Sequence, residues 1–325
     1  MTDKRTLGRS DLTVSPIAFG GNVFGWTLDE KQSFRILDAF VDAGFNFIDT
    51  ADTYSTWVPG NRGGESETII GNWLQKTGKR DQLVIATKLG GDMGDGKKGL
   101  RAGYIQQAVD ASLKRLKTDY IDLYQSHYDD PDTPQEETMD AFNALIRAGK
   151  VRYIGASNLS ADRISTANQY AKANGLAPYI SVQPLYNLYD REQFEKEYLP
   201  LVNEEGLAVI SYYALASGFL SGKYRNAGDA GKSPRGAGIV DRYLNARGTA
   251  ILHALDQVAA DLHVPLAQVA ISWQLHKPFI TAPIVSATSE AQLADITGAV
   301  SLRLTPGQMA QLDEASAISG NKQSK

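Results

Sequence analysis

Strand-like apolar runs alternate with helical patterns along nearly the whole of this 325-residue chain, and that alternation constrains the fold more than any other feature. The runs are Ile17 to Phe19, Phe45 to Ile48, Leu83 to Ala86, Tyr120 to Tyr124, Val151 to Ile154, Ile180 to Val182, Ala208 to Ile210 and Ile280 to Val285. Several are too short and too apolar to alternate cleanly, as strands buried on both faces are. Between them, Thr27-x-x-Glu30, Thr133-Pro134-Gln135-Glu136 and Ser289-x-x-Gln292 each suit a capping box, with Pro134 placed for a first helical position. Ile251, Leu252, Leu255, Val258, Ala259 and Leu262 share one helical face, as do Met139, Phe142, Leu145 and Ile146. Strand alternating with helix means a parallel sheet covered by helices. Eight such units with no break in composition predict one α/β domain over residues 1–325, a (β/α)8 TIM barrel.

Three stretches fall outside the alternation. Lys4 to Val14 reads as an N-terminal β-hairpin able to plug the barrel's bottom, and Thr305 to about Ile318 as an extra C-terminal helix. Gly90 to Gly99 and Tyr224 to Gly238, rich in glycine and charge, read as loops long enough to act as lids.

Composition narrows the chemistry. A net charge of −4 gives no overall attraction to nucleic acid or anionic lipid. No apolar run is long enough to span a membrane and the first residues do not resemble a signal peptide, so a cytoplasmic location is expected. With no cysteine, thiol nucleophiles, disulfides and thiolate metal sites are excluded, and no metal centre is expected.

In a parallel barrel the reactive groups stand at the carboxyl ends of the strands. There the second, third and fourth runs deliver Asp49, Lys88 and His127, spaced 39 residues apart in each case, with Tyr54 in the loop after Asp49. A charge at one strand end is ordinary; the combination is not. An ammonium at Lys88 favours the phenolate of Tyr54 and lowers its pKa, Asp49 can hold that ammonium, and neutral His127 can donate a hydrogen bond to a carbonyl oxygen. That is proton donation to a carbonyl. Reduction also needs a hydride, which no side chain carries, so a nicotinamide or flavin must bind. Neither G-x-G-x-x-G nor a P-loop is present. The later strand ends offer Ser157, Asn158 and Gln183 to a carboxamide and the ring of Tyr212 for stacking. Ser217, Gly218, Lys223 and the capped segment from Ser286 through Thr288 to Gln292 suit phosphates. Trp26, Trp57 and Tyr128 lie in loops that ring the mouth and can wall a substrate pocket, with Asn61 and Arg62 nearby.

FIDTADTY (47–54), ATK (86–88), DLYQSHYDD (122–130), GKVRYIGASN (149–158), VQPLYNL (182–188), SGFLSGKY (217–224) and SATSEAQL (286–293) follow one another in an order and spacing that resemble the aldo-keto reductase superfamily, in the branch with bacterial stress and sugar reductases and potassium-channel β subunits. The resemblance implies a catalytic tetrad of Asp49, Tyr54, Lys88 and His127. It implies nicotinamide contacts from Ser157, Asn158, Gln183 and Tyr212, and a pyrophosphate bordered by Leu215, Ser217, Gly218 and Lys223. Two departures stand out. Tyr213-Ala214-Leu215 replaces a common Pro-Leu after the stacking tyrosine. Ser286-Ala287-Thr288 replaces Gly-Ala-Arg, and Ile296 a common Asn, so the usual basic partner of a 2′-phosphate is missing. Lys223, Arg225, Arg242 or Arg247 can compensate, which favours NADP(H) while NAD(H) stays open. The expected activity is NADP(H)-dependent reduction of an aldehyde or ketone. Sugar or alcohol oxidation at the same site, or a nucleotide-sensing subunit with slow turnover, are the alternatives. The expected partner is a small carbonyl or sugar, with neither nucleic acid nor membrane.

Overall fold

Eight parallel strands run in the order expected of a rolled sheet in the computed structural model, which describes residues 3–317. The N-terminal hairpin pairs β1 (Arg5–Thr6) with β2 (Thr13–Val14). The barrel strands are β3 (Ala18–Gly20), β4 (Phe47–Asp49), β5 (Val84–Leu89), β6 (Ile121–Ser126), β7 (Val151–Ser157), β8 (Ser181–Gln183), β9 (Ala208–Val209) and β10 (Ile284–Val285). From β3 to β9 each pairs in parallel with the next, and β10 pairs with β3. The remaining seam closes through backbone bonds, Ala282 N to Val209 O at 3.2 Å and Ile284 N to Ser211 O at 2.8 Å. The fold is the (β/α)8 barrel expected. All eight strands fall on or within a few residues of the apolar runs, because strands buried on both faces keep an unbroken apolar signal.

The hairpin closes the bottom. Leu7, Leu12 and Val14 join Ala18, Phe47, Val84, Leu123, Ile180 and Ala282 in the cluster that fills the barrel interior. Gly8 has φ +57°, and a Cβ there would overlap the Ile180 carbonyl, so the turn comes this close only as glycine. A second, larger cluster lies between the strands and the helical shell.

Helix starts were less legible. Asp29, not Thr27, caps the helix Glu30–Asp42: its carboxylate accepts from Gln32 N at 2.7 Å while Gln32 Oε1 accepts from Asp29 N. Carboxylate caps compete well with hydroxyls at a helix N-terminus. In the helix Gln135–Arg147, Pro134 occupies the capping position one place earlier than expected, and the Thr133 hydroxyl turns to Asp130. Ser289 does cap the helix Glu290–Gly298, but Gln292 Oε1 accepts from Thr288 N, so the box is only half formed. The helices Ala246–Leu262 and Gln135–Arg147 bury the faces their periodicity marked. The final helix is Pro306–Ser316, capped by Thr305; its expected end at Ile318 lies outside the described residues.

The stretch Tyr224 to Gly238, expected as loop, contains a 3₁₀ turn, Ala227–Lys232, and begins the helix Gly236–Tyr243. A capping box between Asn226 and Asp229 starts the first of these, a local signal that the glycine-rich composition masked. Gly90 to Gly99 is a loop as expected, pinned at its neck by Gly99 N donating to Gly90 O. Among the described residues no helix is long and apolar enough to cross a membrane.

Candidate active site

Asp49 and Lys88 stand at the carboxyl ends of adjacent strands β4 and β5, both fully buried, and His127 follows β6 directly. Lys88 Nζ donates to Asp49 Oδ2 at 2.6 Å, to the Thr50 carbonyl at 2.8 Å and to Tyr54 Oη at 2.9 Å. These three bonds use all three ammonium protons and fix its direction. Tyr54 Oη, accepting from Lys88, has its own proton left, with Asp49 Oδ2 a long 3.3 Å away. The Tyr54 and His127 rings meet edge to face at 6.0 Å, and His127 Nδ1 lies 3.4 Å from Thr53 Oγ1. All four tetrad residues are therefore assembled.

Their electrostatics differ from expectation at one point. The phenol of Tyr54 sits well above its ordinary value, because burial and then the Asp49 carboxylate oppose the phenolate more than Lys88 favours it. Burial lowers Lys88 against the pull of Asp49. Burial, reinforced by the Lys88 charge, holds His127 well below the usual imidazole value, so it is neutral as expected.

The expected nicotinamide contacts join the same network. Gln183 Nε2 donates to Asp49 Oδ1 at 2.9 Å, and Ser157 Oγ donates to the Gln183 carbonyl at 2.9 Å. Asn158, left-handed at φ 56°, donates Nδ2 to the His127 carbonyl and accepts from Tyr212 Oη at 3.0 Å. Asn158 Nδ2 is thus committed to protein, while its oxygen keeps a second lone pair. Beyond Tyr212 the backbone turns left-handed at Tyr213, Ala216, Ser217 and Gly218, and Gly218 N donates to Leu215 O. Such a run of non-glycine residues at positive φ is strained, and strain of this kind gathers at ligand clamps. A Cβ at Gly218 would meet open space.

The adenosine-phosphate candidates are more occupied. Ser286 Oγ is 2.7 Å from both the Gly20 carbonyl and Asn22 Oδ1, and Thr288 gives both its amide and its hydroxyl to Gln292 Oε1. Arg225 makes a two-pronged pair with Asp256, Arg242 pairs with Asp190, and Arg247 donates to the Ser316 carbonyl. Lys223 differs from these three: among the described residues its ammonium rests only over the Tyr224 ring, at 5.6 Å.

At the rim, Trp26 meets Trp57 edge to face at 5.6 Å, Trp57 lies 6.2 Å from Tyr54, and Tyr128 stacks on His127 at 4.5 Å. The large hydrophobic side chains most exposed among the described residues are Trp57, Tyr128 and Tyr213, at 48%, 49% and 46%. Tyr213 packs on Tyr212, so all three surround the same opening. A cavity of about 330 Å³ adjoins it, lined by Tyr213, Ser217, Arg235 and Arg242 among others, with Arg235 lying over Trp26. Asn61 is spent on the Gly25 carbonyl, and the Arg62 amide donates to Glu65.

Sequence reasoning missed Gln125 and Asp52, and marked Tyr213 only as a departure after the stacking tyrosine. Gln125 lies two residues before His127 and pairs in register with Lys88, so strand alternation would have placed both on one face. Asp52, 2% exposed, is pushed up to about 8 by burial and then by Glu67. Tyr213 carried no signal in residue type.

The aldo/keto reductase family model matches residues 16–317. An uncharacterized oxidoreductase, YrpG, of Bacillus subtilis is 35% identical over 92% of this chain and 91% of its own. A probable voltage-gated potassium channel subunit beta of Oryza sativa is 37% identical over 90% and 89%. Norsolorinic acid reductase B of Aspergillus parasiticus is 33% identical over 94% and 82%. The chain belongs to the aldo/keto reductase family and is an oxidoreductase of carbonyl compounds, in a family that generally uses NADP(H).

Proposed function

We propose that this protein reduces an aldehyde or ketone to its alcohol with NADP(H), with Tyr54 as the general acid. The observation that carries the reading is the Lys88 ammonium held 2.9 Å from Tyr54 Oη and 2.6 Å from Asp49. Tyr54 keeps its proton at neutral pH because its pKa is raised, and that proton is held by only one long bond. It can pass to a carbonyl oxygen placed beside it, leaving a phenolate that Lys88 stabilises. A Thr53 hydroxyl donating to His127 Nδ1 puts the imidazole proton on Nε2, where it donates to the same oxygen. A bound nicotinamide supplies the hydride. Gln183, Asn158 and Ser157 would hold its carboxamide, Tyr212 its ring, and Leu215 to Gly218 its pyrophosphate. The donor and acceptor groups fit: Gln183 Oε1 and the second lone pair of Asn158 Oδ1 are available among the described residues, beside the strained turn. Trp26, Trp57 and Tyr128 would wall the substrate.

The raised pKa keeps Tyr54 in the protonated form that reduction uses as acid. Of the four cations weighed for a 2′-phosphate, Lys223 is the one whose side chain has no hydrogen bond or ion pair among the described residues, and it supports NADP(H) over NAD(H). Fluorescence titration with NADPH and NADH, followed by a panel of aldehydes, ketones and sugars, tests the reading. Tight NADPH binding with carbonyl-dependent oxidation is expected; equal affinity for both nucleotides, or turnover of no carbonyl, would overturn it.

A further inference from the structure

We propose that Gln125 is a positioning residue that fixes the direction in which the Gln183 side-chain amide offers its oxygen to the cofactor, so that the site presents an acceptor to the carboxamide. The inference rests on the reading of Gln183 as a carboxamide partner.

Gln125 is fully buried on β6, in register with Lys88 on β5 and Gly155 on β7. Gly155 makes room for it: a Cβ there would meet Gln125 Cγ at 3.3 Å and overlap Ser181 Oγ. Gln125 Nε2 reaches Asp49 Oδ1 at 3.3 Å, and Gln183 Nε2 reaches the same oxygen at 2.9 Å. Gln183 Nε2 also donates to Gln125 Oε1 at 3.2 Å.

These contacts form a closed chain of donor and acceptor assignments. An ionised carboxylate only accepts, so both amides must turn nitrogen toward Asp49. With its nitrogen committed, Gln125 turns its oxygen to Gln183. Both Nε2 protons of Gln183 are then used, one on Asp49 and one on Gln125. Rotating the Gln183 amide by half a turn would set its oxygen against Asp49 Oδ1 and Gln125 Oε1 together, with no donor between them. Among the described residues no group donates to Gln183 Oε1, which is what remains for a ligand. An acceptor there suits the NH2 of a carboxamide and discriminates against an acetyl group, which has a carbonyl and no N–H. Asp49 alone would hold the Gln183 nitrogen through one proton, so without Gln125 the plane of the amide, and with it the direction of Oε1, is no longer fixed.

The test uses the full-length protein and two reduced dinucleotides, NADPH and its 3-acetylpyridine analogue, titrated by quenching of tryptophan fluorescence. The wild type is expected to bind the analogue roughly 10-fold more weakly, the size of one lost hydrogen bond to a buried acceptor. In Gln125→Met, which keeps the length and removes both amide groups, the preference is expected to fall to about twofold or less. Gln125→Glu, protonated beside the Asp49 carboxylate, keeps both an acceptor for Gln183 and a donor to Asp49 and is expected to retain the preference. Gln183→Met is expected to abolish it. A wild-type preference in folded Gln125→Met, a loss in Gln125→Glu as large as in Gln125→Met, or no preference in the wild type would each overturn the positioning role. A preference that survives in Gln183→Met would instead overturn the carboxamide reading of Gln183. Should Gln125→Met fail to fold, Gln125→Leu, which also lacks both the donor and the acceptor, takes its place with the same expected fall and the same overturning result.

Discussion

Replacing Asp52 with asparagine should make the protein more stable at neutral and alkaline pH, although it removes an acidic residue from the turn that carries Tyr54. Asp52 sits in the turn from Ala51 to Tyr54, 2% exposed, with Oδ1 buried and without a hydrogen-bond partner among the described residues. Glu67 faces it from the helix Glu65–Thr77, Arg115 from the helix Ala102–Leu116 and Lys88 from β5. Glu67 already bonds Thr87 and Arg115, so Arg115 is shared and compensates Asp52 only in part. Burial and Glu67 win, and the folded pKa is about 8 against an ordinary 3.8. Between these values the folded state holds a proton that the unfolded state has released. Stability therefore falls as pH rises through that window, by up to about 1.4 kcal/mol per pH unit. By pH 7 the loss is on the order of 4 kcal/mol, and above the folded pKa it levels off. An asparagine at this position has the same shape and no ionisation. Its buried amide costs about 1–3 kcal/mol if it lacks an acceptor, but equally at every pH. Urea unfolding of both proteins at pH 4.5, 6, 7 and 8 should show Asp52→Asn gaining on the wild type steadily with pH. Parallel stability curves across that range would refute the reasoning, since they would mean that Asp52 takes up no proton on folding.

Three further outcomes follow from the geometry. Gly8→Ala combines a left-handed φ with overlap on the Ile180 carbonyl, and should destabilise by about 2 kcal/mol or more in thermal or urea unfolding. Lys223→Ala should weaken NADPH about 10-fold and leave NADH within about twofold, since only the former brings a 2′-phosphate; equal weakening would remove Lys223 from phosphate recognition. Because His127 is held neutral well below its usual value, kcat for reduction should show no limb near pH 6.5; a limb there that disappears in His127→Gln would contradict the buried, neutral imidazole.

The architecture was legible because most barrel strands are buried on both faces, so Val84 to Ala86 or Ala208 to Ile210 shows an unbroken apolar signal. Asp49, Lys88 and His127 were legible for a related reason: once strands are counted, their ends are known, and the chemistry stands at the ends. Helix starts were less so, because Thr27 and Asp29 are both good caps, and only the reciprocal bond of Gln32 decides between them. What stayed hidden depends on the third dimension. Lys88 lowers the pKa of a phenol in open solution, but Tyr54 rises because burial outweighs that one charge. Gln125 reads as an ordinary polar residue in a strand until the register sets it opposite Lys88 and against Gln183. Arg225, Arg242 and Arg247 seemed available for phosphate from their positions in the chain, but Asp256, Asp190 and Ser316, far away in sequence, claim them.

The central claim is that Tyr54 gives the proton to the carbonyl oxygen. The most direct measurement loads wild type and Tyr54→Phe with NADPH to equal occupancy, mixes each with excess aldehyde, and follows nicotinamide absorbance through a single turnover. The wild type should oxidise one equivalent, and the phenylalanine variant, binding NADPH as tightly, should do so roughly 100-fold or more slowly. Oxidation at the wild-type rate in a folded, NADPH-loaded Tyr54→Phe would contradict the account.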